Sequence, residues 1–105
     1  MYLILYSKPD CHLCEGLIEK LEQIEDIPIE LEIRDITTNP QWFAAYQYEI
    51  PVLFWDKTQS HNNGKGNHTN ENGRSTAWVQ LPRLSPRASV QQLSRLLKNA
   101  LDGQA

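Results

Sequence analysis

At 105 residues, with 40% hydrophobic and 22% charged side chains, the chain has the make-up of one soluble globular domain, 1–105, and is too short for two cores. A net charge of −3 argues against the clustered cations that phosphate backbones attract, so nucleic acid is not an expected partner. The opening apolar stretch is shorter than a signal-peptide core, and no run nears the ~18 residues of a membrane helix. A cytoplasmic protein with no membrane partner is therefore expected.

In chain order, "YLILYS" (2–7) is continuously apolar and short, the pattern of a strand covered on both faces. From Cys14 the apolar residues Cys14, Leu17, Ile18, Leu21 and Ile24 share one helical stripe, and Pro28 stops that helix. "IELEIRD" alternates Ile29, Leu31 and Ile33 with Glu30, Glu32 and Arg34, which predicts an edge strand with one wet face. Asn39 and Pro40 cap and open a short helix carrying Trp42, Phe43 and Tyr46.

"IPVLFW" is a second dense strand, begun by Pro51 and expected near the sheet centre. Residues 57–76 are almost wholly polar and rich in Asn and Gly, a mobile loop inserted in a hairpin. "AWVQLP" (77–82) returns as the paired strand. The closing segment offers caps at Ser85 and at Ser89, the latter with Gln92 three residues on. Val90, Leu93, Leu96, Leu97, Ala100 and Leu101 form its apolar side. The right-handed βαβ rule puts the first helix on one sheet face, where the last helix can join it.

Cys11 and Cys14 are the only cysteines. Cys14 lies on the buried stripe, whereas Cys11 precedes the first turn, where unpaired N–H groups and the helix dipole favour a thiolate. An accessible nucleophile beside a shielded partner is what dithiol exchange requires, with Cys11 attacking and Cys14 resolving. Lys8 favours the Cys11 thiolate, as does His12 when protonated; Asp10 and Glu15 oppose it. Three other uses stay open: half a zinc site, two inert core thiols, or an iron–sulfur cluster shared between chains. Zinc needs further ligands, and the distant histidines, His61 and His68, are poorly spaced to supply them. No metal is expected.

"YSKPDCHLCE" and "YEIPVLF", together with the element order, resemble the glutaredoxins of the thioredoxin superfamily, and among them a small group of glutaredoxin-like proteins. The resemblance implies an α/β thioredoxin-like fold: a four-stranded mixed sheet in the order β-α-β-α-β-β-α, flanked by helices. It also implies a cis Ile50-Pro51 bond facing the cysteines, although sequence alone favours trans, cis being about 5–6% of X–Pro bonds. Ile50 would then offer main-chain N–H and C=O to the substrate, and Lys8 matches the family lysine that meets a glutathione carboxylate.

Two departures stand out. His12 and Leu13 replace the usual Pro and aromatic between the cysteines. "LPRLSPRAS" lacks the family's Gly-Gly turn and carries Arg83 and Arg87 where an acid is usual. The tryptophans, Trp42, Trp55 and Trp78, read as core, with one able to line a groove beside Cys11.

The function expected is reduction of disulfides in proteins, or of glutathione mixed disulfides, through the Cys11/Cys14 dithiol. Lys8, Ile50 and Pro51 would bind substrate, and His12 would tune the thiolate. No bound cofactor is expected, and electrons would come from glutathione or a thioredoxin reductase system, at a potential of about −270 to −180 mV. The alternative is a protein-binding adaptor on the same fold, with the cysteine pair as a redox switch.

Overall fold

The computed structural model describes residues 1–58 and 78–103. Most of the polar insert at 57–76 lies outside the described residues, as do His61 and His68. The chain runs β1 (Tyr2–Ser7), α1 (His12–Glu22), β2 (Glu30–Asp35), a 3-10 turn (Ile36–Thr38), α2 (Pro40–Tyr46), β3 (Val52–Asp56), β4 (Trp78–Gln80) and α3 (Val90–Gly103). The sheet order is β2-β1-β3-β4. β1 pairs parallel with β2, and β3 pairs antiparallel with both β1 and β4. This is the mixed four-stranded α/β arrangement expected of a thioredoxin-like fold.

The alternation along the central strands explains why they read as unbroken apolar runs. Leu3 and Leu5 of β1 point into one core with Leu53 and Trp55 of β3, closed by Leu21 of α1 and by Leu93 and Leu97 of α3. Ile4 and Tyr6 point the other way, into a second core with Val52, Phe54 and Ile36, against which Trp42 and Tyr46 of α2 pack. Each strand is thus apolar on both faces.

Local chemistry sets the helix ends. Asn39 Oδ1 accepts from the N–H groups of Gln41 (2.9 Å) and Trp42 (3.2 Å), and Pro40 follows at the first helical position. At α3 the Ser89 cap forms: its N–H donates to Gln92 Oε1 at 2.8 Å, and Gln92 N–H donates to Ser89 Oγ at 3.1 Å. Ser85 instead starts a turn, accepting from Ala88 N–H at 2.9 Å. α1 stops six residues before Pro28, because Gln23 and Ile24 close tighter turns on Lys20 and Leu21, and Ile24 and Ile27 then turn into the core.

β2 corrects the expected wet face. Ile33 is 50% exposed, while the Arg34 side chain is only 19% exposed. The guanidinium lies 5.2 Å from the ring centres of Trp42 and Trp78 and 5.8 Å from that of Tyr6. It pairs with Glu32 and donates to Tyr6 Oη at 3.2 Å, and Tyr2 Oη donates to Glu32 at 2.7 Å. The aromatic rings of α2 and β4 cover the charged face, and the long Arg stem packs beneath them. Burial lowers the Arg34 guanidinium, but Glu32 and Tyr6 outweigh it and hold it above its ordinary value. Burial, then the hydrogen bond and charge of Glu32, push the Tyr2 phenol up to about 12.

Candidate active site

β1 ends at the buried Ser7, and an exposed turn, Lys8–Pro9–Asp10, delivers the chain to α1. Asp10 has φ 65°, the left-handed region that Asp tolerates better than most residues. Cys11 is extended (φ −97°, ψ 102°) and serves as the N-cap. Its Sγ accepts from the Cys14 N–H at 3.3 Å, and its carbonyl accepts from Glu15 N–H at 3.0 Å. The first turn of α1 therefore turns a free N–H toward the Cys11 sulfur, the arrangement that favours negative charge there.

The stripe of α1 buries Cys14 to 1% exposure, whereas Cys11 stays half-buried. Their Cα atoms are 5.3 Å apart and they form a disulfide, inside the usual range for a bridged pair. The predicted inequality is present but gentler at Cys11 than a fully solvated sulfur. Between them, the His12 side chain is 93% exposed, with Nδ1 3.6 Å from Glu15 Oε1, and Leu13 is 51% exposed. Lys8 is exposed on the turn.

A groove of about 470 Å³ opens beside this turn. His12, Leu13 and Leu17 form one wall, Pro51 and Leu53 another, Pro82, Arg83 and Leu84 a third, and Leu93 and Leu96 of α3 complete it. The Ile50–Pro51 bond is cis, as the resemblance implies. The structure thus brings Pro51 and His12 to one groove, whose lining does not include Lys8, Cys11, Cys14 or Ile50.

Two features depart from expectation. None of Trp42, Trp55 and Trp78 lines the groove; Trp55 is in the first core, and the other two cover Arg34 on the opposite face. Ile50 is not free on either side: its N–H donates to Tyr46 O at 3.2 Å, and its carbonyl accepts from Arg83 Nη2 at 3.4 Å. The sequence marks Arg83 as standing where an acid is usual, yet nothing local to it points to a carbonyl 33 residues upstream.

The model of the Glutaredoxin-like domain (DUF836) matches residues 2–98. The chain belongs to this glutaredoxin-like family. No curated protein and no solved structure matches it. Its Cys-x-x-Cys pair at disulfide distance fits a redox-active glutaredoxin-like centre. Among the described residues no three His, Cys, Asp or Glu side chains are placed to share a metal ion, and no helix is long and apolar enough to cross a membrane.

Proposed function

We propose that this glutaredoxin-like domain is a thiol–disulfide oxidoreductase acting on protein disulfides or glutathione mixed disulfides in a reducing compartment such as the cytoplasm. The observation that carries the reading is the unequal placing of the two sulfurs: Cys11 half-buried at the helix cap with an N–H aimed at it, Cys14 sealed beneath.

The Cys11 thiolate attacks one sulfur of the substrate disulfide, forming a mixed disulfide and expelling the other sulfur as a thiolate. Cys14 loses its proton and attacks Cys11 Sγ, which breaks the mixed disulfide, releases the second substrate thiolate and leaves the Cys11–Cys14 bridge. The dithiol gives up two electrons, and an external thiol donor, glutathione or a thioredoxin reductase system, restores them. The helix cap favours the Cys11 thiolate, and the exposed Lys8 ammonium on the turn before it acts in the same sense. Burial holds Cys14 as a thiol until the mixed disulfide brings an electrophilic sulfur to it.

The test is a coupled disulfide-reduction assay on the parent, Cys11→Ser and Cys14→Ser. The parent turns over, Cys11→Ser does not, and Cys14→Ser accumulates a mixed disulfide visible by mass. A parent that stays at background with either reductant, while its oxidation changes affinity for a partner, defeats the enzyme reading in favour of a redox-switched adaptor.

A further inference from the structure

Acidic residues outnumber basic ones in this chain, 13 to 10, yet among the described residues the groove beside the cysteines is lined by no Asp or Glu. Its ionisable lining is His12, Lys20 and Arg83. Among the described residues neither Lys20 nor Arg83 has an ion-pair partner: Lys20 Nζ donates to Pro86 O at 2.8 Å, and Arg83 donates to Ile50 O at 3.4 Å, both uncharged acceptors. Of these three only His12, at the rim, forms an ion pair among the described residues, with Glu15. The rest of the lining is largely aliphatic, Leu17, Leu84 and Leu96 among it.

Resting on the oxidoreductase reading above, we propose that this groove takes an extended, apolar segment of a disulfide-bearing polypeptide that carries a side-chain carboxylate, received by Arg83. Charge complementarity over an apolar floor favours this occupant. An extended peptide supplies aliphatic side chains for the leucine walls, and its carboxylate offers Arg83 an anionic acceptor in place of a long contact to a neutral carbonyl.

That exchange has a second effect. As the guanidinium turns to the carboxylate it uncovers the Ile50 carbonyl, which can then accept a main-chain N–H from the substrate next to Pro51. Arg83 is thus a specificity residue that ties reading of an acidic side chain to exposure of a docking acceptor. Glutathione fits this groove less well. It has carboxylates for the cations, but its ammonium meets no acid in the lining, and it brings no aliphatic side chain to the leucines.

Binding is read apart from turnover by fluorescence anisotropy on the oxidised protein. The probes are short labelled peptides of one apolar sequence, with Ser at the cysteine position and Glu, Gln or Lys at one flanking site. The parent should bind the Glu peptide about three- to fivefold more tightly than the Gln peptide, the upper part of the range of an exposed ion pair. Arg83→Ala should abolish the difference, Arg83→Lys should keep part of it, and Arg83→Glu should favour the Lys peptide.

Equal affinities in the parent, or a Glu preference that survives in Arg83→Ala, overturn the proposal. Reduction of a small neutral disulfide, measured on the same proteins, reports the oxidoreductase reading separately. If that activity is present and the charge preference absent, only the groove proposal fails. If the preference is present and the activity absent, docking stands and the catalytic reading fails. Thermal melts of the Arg83 variants, whose side chain is exposed on a connector, verify that they fold.

Discussion

Arg34→Met removes one cation from the centre of the second face while keeping an unbranched stem of similar reach. Tyr6, 1% exposed, loses the donor at its hydroxyl, which costs about 1 kcal/mol. The cation 5.2–5.8 Å from three ring centres contributes about 1 kcal/mol when partly desolvated. Glu32 loses its partner but is 34% exposed, so water replaces much of that pairing and about 0.5 kcal/mol is lost. The thioether regains about 0.5 kcal/mol against the rings.

The net destabilisation is about 2 kcal/mol, or a melting point lowered by about 10 °C for a domain of this size. Urea unfolding followed by tryptophan fluorescence reads it, since Trp42 and Trp78 flank the guanidinium. Glu32→Gln supplies the cross-check: it should cost about 0.5 kcal/mol less in Arg34→Met than in the parent, the Tyr2 hydrogen bond to residue 32 being common to both. An Arg34→Met protein within about 0.5 kcal/mol of the parent, with the same urea dependence, would refute the view that the guanidinium holds this face together.

Tyr2 gives a pH signature. Its phenol titrates at about 12 in the folded chain against 10.0 ordinarily, so its contribution is intact below pH 10 and is lost as pH climbs through the interval to about 12. Tyr2→Phe should flatten that part of a stability-versus-pH curve. Asp10, at φ 65°, predicts opposite signs for two replacements: Asp10→Gly raises stability by up to ~1 kcal/mol, and the β-branched Asp10→Val lowers it by ~1–2 kcal/mol, both from chemical melts. Leu97→Ala, at a fully buried position joining α3 to the sheet, should cost ~2–5 kcal/mol by the same measurement.

The features readable from the sequence were those decided by near neighbours. The caps at Asn39 and Ser89, the buried stripe carrying Cys14 and the apolar runs of β1 and β3 each follow from residues within a few positions. What escaped depends on distant partners. The alternation of β2 points Ile33 inward and Arg34 outward, yet which face is covered is set by Trp42 from α2 and Trp78 from β4, so the expectation inverts for that pair. Likewise the cysteine pair announced its own asymmetry, whereas the occupied state of the Ile50 carbonyl depends on Arg83, far along the chain. The early end of α1 is of the same kind: Pro28 forbids helix beyond it, but the core positions of Ile24 and Ile27 bring the turn forward.

Among the described residues the order β2-β1-β3-β4 leaves two strands with an open side. One rim carries the carboxylates of Glu30, Glu32 and Asp35 among its six residues, so an incoming neutral strand would have to approach a row of acidic side chains. The other is three residues long and is followed two positions later by Pro82, which has no N–H to give. Both borders therefore discourage runaway strand addition between copies, so the sheet itself is a poor template for aggregation.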